Sequence, residues 1–175
     1  MKFFISGPPG VGKTTVFLRV IELLKNDGLK IGGFICPEVR RGGQRVGFKI
    51  IDLMSGDEGW LAKICDSGGP RVGRYCVDVE DAVTIGVNAI EKALENAELI
   101  AIDEIGPMEL SVPQLKSAIY YVLKSNKILL AVIHWKLKES LLKLVSNQWE
   151  LFPVSVSNRD RIHETLYFKI RASLY

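Results

Sequence analysis

The sequence predicts an α/β fold: a mostly parallel sheet with helices on both faces and an antiparallel hairpin insert at one edge. Three observations predict it. Short apolar runs alternate with amphipathic helical segments along most of the chain. The first run stops at Gly7-Pro8-Pro9-Gly10 and a helical pattern follows at once, a strand–turn–helix start. Between residues 30 and 53 two β-like segments flank a Gly-Gly turn and interrupt the alternation.

Each element has its own justification. Lys2–Ser6 is a short apolar run ending in a Gly-rich turn, hence a buried strand. Thr14–Asn26 carries Val16, Phe17, Val20, Ile21 and Leu24 at helical spacing, with Gly28 as its stop. Lys30–Arg40 and Arg45–Leu53 read as strands around Arg41-Gly42-Gly43-Gln44, and a third short strand runs through Trp60–Cys65 before the turn cluster Asp66–Pro70. From Val79 the period becomes helical: Val83, Val87, Ile90, Leu94 and Ala97 share a face, with Glu80 and Asp81 in the first turn. Leu99–Ile102 is a buried strand ending in Asp103-Glu104. Pro113 opens a helix marked by Leu115, Ala118, Ile119 and Val122. Lys127–Ile133 is another continuous apolar strand, and Leu137, Leu141, Leu144 and Val145 make a helix with lysines outward. Glu150–Ser155 is the last strand, and Asn158 caps a final helix carrying Ile162, Leu166 and Ile170.

The 175 residues suit one domain, 1–175. Hydrophobic content of 47% and charged content of 25% describe a globular chain, not a disordered one. Lys plus Arg total 23 against 20 acidic residues, a net charge of +3 that suits a small anionic ligand but forms no basic stripe for nucleic acid. Cys36, Cys65 and Cys76 are odd in number, lack a C-x-x-C pair and read as reduced, mostly buried thiols; His134 and His163 complete no standard zinc site with them. The opening apolar residues halt at Gly7, short of a signal peptide, and no apolar run approaches membrane-spanning length. A cytoplasmic protein without membrane contact is expected.

Gly7-Pro8-Pro9-Gly10-Val11-Gly12-Lys13-Thr14 satisfies G-x-x-x-x-G-K-[ST] between a predicted strand and a predicted helix. Its glycines let successive N–H groups turn inward as an anion nest at a helix start. Lys13 adds a positive charge for the β- and γ-phosphates, and the Thr14 hydroxyl is placed to ligate Mg²⁺. Downstream, Asp103 and Glu104 sit where a buried strand meets its loop, the end at which open α/β sheets bind ligands. Asp103 suits the metal, directly or through water, and Glu104 suits orienting or deprotonating a water at the γ-phosphate. Asp103-Glu104-Ile105-Gly106 also spells D-x-x-G, but Asn126-Lys127 is followed by Ile128-Leu129, so no N-K-x-D selects guanine.

The segment Gly7–Thr15, Ile102-Asp103-Glu104-Ile105-Gly106 with Met108-Glu109, and Asn158-Arg159-Asp160 together resemble the thermostable-type nucleoside-triphosphatases, P-loop NTPases that include the cancer-related nucleoside-triphosphatase. Glu38-x-Arg40 and Arg45-x-Gly47-Phe48 resemble that family's hairpin segment, and the likeness covers nearly the whole chain. The resemblance implies a P-loop NTPase fold and Mg²⁺-dependent hydrolysis of several nucleoside 5′-triphosphates to diphosphate and phosphate. It also implies a strand interposed between the P-loop strand and the one bearing Asp103.

Other residues have narrower claims. If Ile128–Ile133 is the interposed strand, His134 at its end points to the γ-phosphate; the alternative is a hydrogen-bonded strand-end histidine. Among Arg40, Arg41, Arg45, Arg71 and Arg74, Arg45 is the first choice for stabilising transition-state charge in cis. Arg159 can stack on a nucleobase, which every base permits, or serve as an ordinary first-turn charge. Trp60, Trp135 and Trp149 form no spaced set and are assigned to core packing. The nucleotide-binding set is thus Gly7, Pro8, Pro9, Gly10, Val11, Gly12, Lys13, Thr14, Thr15 and Arg159; Thr14 and Asp103 serve the metal, and Lys13, Glu104, His134 and Arg45 the chemistry. The sequence reads as a monomeric or weakly associating Mg²⁺-dependent nucleoside-triphosphatase of broad base preference. Its rivals are a nucleotide or nucleoside kinase on the same P-loop, and a nucleotide-controlled binding module with negligible turnover.

Overall fold

A computed structural model describes residues 1–65, 68–146 and 148–174. The strands are β1 (Lys2–Ser6), β2 (Ile31–Ile35), β3 (Glu38–Arg41), β4 (Gln44–Asp52), β5 (Glu58–Ile64), β6 (Arg71–Val72), β7 (Tyr75–Val77), β8 (Leu99–Ile105), β9 (Ile128–Ile133) and β10 (Trp149–Pro153). The helices are α1 (Lys13–Asn26), α2 (Val79–Asp81), α3 (Asn88–Asn96), α4 (Pro107–Leu110), α5 (Pro113–Lys124), α6 (Lys138–Leu142) and α7 (Ile162–Ala172), with a π-helical stretch (Ala82–Val87) joining α2 to α3.

The strands form one sheet in the order β10-β1-β9-β8-β2-β4-β5-β7-β6, with β3 paired to β4. From β10 to β2 all pairings are parallel; beyond β2 they are antiparallel. Strand β9 does lie between β1 and β8. Adjacent residues of the parallel strands face opposite layers, so these runs are apolar throughout. Phe3, Ile5, Ala101 and Val132 pack on one side in the cluster that includes Phe17, Val20 and Leu166 of α1 and α7. Phe4, Ile100, Ile102 and Ala131 pack on the other with Ile90, Leu115 and Ile119 of α3 and α5. Helix α1 ends in a Schellman arrangement: Gly28 N–H donates to Lys25 O (2.9 Å) and Leu29 N–H to Leu24 O (3.1 Å).

Several elements depart from expectation. The run 30–40 is two strands, because Pro37 interrupts it: β2 joins the parallel sheet and β3 turns back onto β4. The helix after Val79 buries Ala82, Gly86, Ala89, Ile90 and Ala93, whereas Val83, Val87 and Leu94 are only partly buried. A π turn rotates the face, and small residues let the helix close on the sheet; a Cβ on Gly86 would lie 2.8 Å from Ile50 Cδ1. Helix α6 is five residues long and does not extend to Leu144 and Val145. Asn158 does not cap α7, whose N-cap is Arg161; its side chain instead closes a turn by bonding Ser155 N–H (2.8 Å) and Pro153 O (2.9 Å). Short α4 and the β6–β7 hairpin were not foreseen.

The cysteine reading is also corrected. Cys65 and Cys76 form a disulfide, and Cys36 alone is free. The antiparallel pairing of β5 with β7 (Lys63↔Cys76, Ile64↔Tyr75) brings them together, a proximity that separation in sequence does not reveal. Nor are the tryptophans core residues: Trp135 is 49% and Trp149 42% exposed, and Trp60 is half-buried beneath the ammonium groups of Lys49 and Lys63. The turn cluster expected at Asp66–Pro70 includes Asp66 and Ser67, which lie outside the described residues. No helix is long and apolar enough to cross a membrane among the described residues.

Candidate active site

Of the residues singled out for chemistry, Lys13, Glu104 and His134 come together with Thr14 and Asp103 at the C-terminal ends of β1, β8 and β9, the parallel core of the sheet, whereas Arg45 stands on β4. The P-loop leaves β1 and enters α1 through Gly10 (φ 74°) and Gly12 (φ 108°), left-handed conformations that a side chain disfavours. Gly12 is the N-cap and no side chain caps the helix, so the first N–H groups of α1 are left for an anion. Lys13 folds back over the loop, its Nζ donating to Gly7 O (3.0 Å) and Pro8 O (3.1 Å). Val11 turns its side chain into the core and offers the site only its backbone.

Asp103 is the last residue of β8 in regular register with β9; pairing then jumps from Asp103↔Val132 to Ile105↔Ile133. Glu104 occupies that irregularity, a device that re-aims one side chain. The Asp103–Glu104 peptide bond is cis. Asp103 is buried, and burial pushes its carboxyl up to about 7; repulsion from Glu104 adds, while the Thr14 hydroxyl bonded to it and the Lys13 charge oppose. Burial raises Glu104 as well, against the charges of His134 and Lys13. His134 follows β9, held by its N–H on Ile105 O (3.0 Å). Its Nδ1 accepts from Lys136 N–H (3.3 Å), so in the neutral ring the proton is on Nε2, free to donate.

A third carboxyl was missed. Glu109 is 3% exposed; its Oε2 accepts the Gly106 N–H (3.0 Å), and its carboxyl hydrogen-bonds with the Cys36 thiol. Burial pushes it up to about 8, reinforced by the charges of Glu104 and Asp103 against the bonds from backbone N–H groups. A signal was available: Gly106-Pro107-Met108-Glu109 places proline at the first helical position and glutamate at the third, a helix start that turns the carboxyl inward.

These groups line a cleft of about 430 Å³. Its floor holds Lys13, Thr14, Asp103, Glu104, Glu109 and His134, and its far wall is Phe48, Leu61, Val72 and Tyr75 from the antiparallel insert. Arg45 also reaches the cleft, but Glu38 holds its guanidinium (Nε to Oε2, 2.6 Å) over the Phe48 ring. Arg40 is paired with Glu38, Arg71 with the Gly73 carbonyl and Arg74 with the Tyr75 hydroxyl. Gly7 and Pro8 border a second cavity, of about 370 Å³, with Trp135 and Pro153. Arg159 is not in the main cleft; it shares a cavity of about 220 Å³ with Gly12, Thr15, Arg19 and Asp160 at the other end of the P-loop.

For a metal, the donors are hard oxygens: the Asp103 carboxylate and the Thr14 hydroxyl bonded to it, beside two more carboxyls that a divalent cation would balance. No cluster of three or more His, Cys, Asp or Glu side chains fit to hold a metal occurs among the described residues.

Comparison with known proteins follows the same lines. The family described as NTPase matches residues 2–167. A nucleoside-triphosphatase THEP1 from Sulfurisphaera tokodaii is 42% identical over 174 residues, covering 99% of this chain and 97% of its own. The crystal structure of THEP1 from the hyperthermophile Aquifex aeolicus superposes with a TM-score of 0.79 at 30% identity, covering 95% of this chain and 96% of that one. The solution structure of a human cancer-related nucleoside triphosphatase gives the same score and identity, covering 98% of each.

Proposed function

The chain belongs to the NTPase family, and we propose that it is a single-domain enzyme, residues 1–175, that hydrolyses nucleoside 5′-triphosphates to diphosphate and phosphate with Mg²⁺. The observation that carries this reading is the convergence of Lys13, Thr14, Asp103, Glu104 and His134, from three separate stretches of chain, on one cleft.

The P-loop N–H groups hold the phosphate tail, and Lys13 swings from its loop carbonyls to the β- and γ-phosphates. Asp103 and Thr14 would hold Mg²⁺, which would supply positive charge against that developing on the phosphate oxygens. Glu104 takes a proton from the attacking water at its carboxylate; burial raises its affinity for protons, the direction a general base needs. His134 donates from Nε2 to a γ-phosphate oxygen, and Arg45 would add positive charge at the cleft edge once released from Glu38. Arg159, beside Gly12 and Thr15, lies against the base without reading its edge, which supports broad base preference. The small net charge of +3, spread over 23 basic and 20 acidic residues, favours free nucleotides over nucleic acid.

Phosphate release from ATP, GTP, CTP and UTP, with Mg²⁺ or with chelator, tests the reading. All four should be hydrolysed only with the metal, and kcat/KM for ATP and GTP should agree within about tenfold, ~1.4 kcal/mol. A preference of ~1000-fold for one base would show a hydrogen-bonding pocket that reads its edge. Absence of release from all four with Mg²⁺ would remove the hydrolase assignment.

A further inference from the structure

Glu109 lines the cleft floor but has no task in the reaction just described. Its bonds reach both ends of the short segment that carries Glu104. On the downstream side its Oε2 accepts the Gly106 N–H (3.0 Å). On the upstream side its carboxyl hydrogen-bonds with the Cys36 thiol, and the Cys36 N–H donates to Asp103 O (2.7 Å). A third tie runs from the His134 N–H to Ile105 O (3.0 Å). The stretch 103–106, where the β8–β9 pairing slips, is thus gripped from α4, from the residue after β2 and from the residue after β9.

Gly106 shows how closely Glu104 depends on this grip. A Cβ on Gly106 would stand 2.9 Å from Glu104 Oε1 and 3.1 Å from Glu109 Oε2, so both carboxyls rest against the same bare face of the backbone. Deleting the Glu109 carboxyl would leave a buried N–H without its partner, a cost that a shift of this backbone relieves. A helix cap accounts for the bond to Gly106 at the start of α4. It does not account for the tie through Cys36 to Asp103.

We infer that Glu109 is a positioning residue: through Gly106 on one side and Cys36 on the other, it fixes the backbone that aims the Glu104 carboxylate at the attacking water. The inference rests on Glu104 as the base, as set out above. Misplacing a catalytic group by about 1 Å costs on the order of 10²-fold. That loss should fall on kcat, because the P-loop that binds the nucleotide makes none of these contacts.

Turnover with Mg²⁺ and ATP, and nucleotide affinity by fluorescent displacement, are measured for Glu109→Ala, Glu109→Gln, Glu104→Ala and the double variant Glu104→Ala with Glu109→Ala. Glu109→Ala should lose about 10²-fold in kcat with affinity unchanged. Glu109→Gln keeps the shape and can make both bonds, so it should retain most of kcat. In the Glu104→Ala background no carboxylate remains to aim, and removing Glu109 should cost nothing further. Cys36→Ala cuts the upstream tie with a smaller change; it should lower kcat by a lesser factor, and it carries the test if Glu109→Ala does not fold. Wild-type kcat in Glu109→Ala, or in Cys36→Ala where that variant stands in, overturns the positioning role. So does an equal loss in Glu109→Gln, a loss of affinity in place of kcat, or a further loss on top of Glu104→Ala. Low turnover in Glu104→Ala beside normal turnover in Glu109→Ala removes only this inference; normal turnover in Glu104→Ala removes the base as well.

Discussion

Lys13 lays its ammonium on the carbonyls of Gly7 and Pro8, so its charge is held at the loop that would carry the phosphates. Lys13→Ala should lower kcat by roughly 10²-fold or more, the scale of losing a preorganised transition-state donor; near-normal phosphate release from the folded variant would remove its assigned role. Glu109 supports a prediction about stability. Its folded affinity for protons, about 8 against an ordinary 4.5, exceeds the unfolded one. Its contribution is therefore fully present below about pH 4.5 and lost as pH rises through about 8. Glu109→Gln removes that dependence, so without metal or nucleotide its Tm relative to wild type should climb between pH 5 and 9. A difference of only about 1 kcal/mol is worth ~2–4 °C here, and a flat difference would show that Glu109 does not bury its charge. The contrast between the two residues explains what was legible. Lys13 belongs to a contiguous signature whose spelling follows from phosphate chemistry, whereas Glu109 acquires its setting from Cys36, Asp103 and Glu104, distant in sequence.

At the scale of elements, the insert decides the shape of the cleft. Its far wall rides on β4, β5, β6 and β7, and the Cys65–Cys76 disulfide ties the end of β5 to β7 across a sequence separation of 11. Cys65→Ser with Cys76→Ser should lower stability by about 2–3 kcal/mol, the range for so short a closed loop, and should make the melting temperature insensitive to reductant. A wild-type Tm unmoved by reductant would show that the bond contributes nothing. Strands β1, β8 and β9 were legible because burial on both faces leaves an unbroken apolar run. The β6–β7 hairpin was not, since two- and three-residue strands carry almost no period. The burial face of the helix after Val79 was misjudged for a local reason: a π turn breaks the 3.6-residue repeat on which the expectation rested. Asn158 has the chemistry of a cap but spends both side-chain atoms on a turn before α7 begins.

On the scale of the whole molecule, the topology unites three sequence-distant segments: β9 between β1 and β8 sets His134, the P-loop and Asp103-Glu104 on one edge of the sheet. The strand order itself was not readable from periodicity, only from likeness to a known family, because parallel neighbours are chosen by packing across many residues. In the proposed function this edge of the sheet hydrolyses nucleoside triphosphates, with Glu104 as base and Asp103 toward the metal. Glu104→Gln keeps size and hydrogen-bonding capacity but removes the base and its charge. Nucleotide affinity by fluorescent displacement and turnover by phosphate release, measured on one preparation with Mg²⁺, separate the two roles. Affinity should survive while kcat falls by ~10²–10⁴-fold, the usual contribution of a positioned general base. Turnover close to wild type, or loss of nucleotide and Mg²⁺ binding in place of turnover, would contradict the assignment.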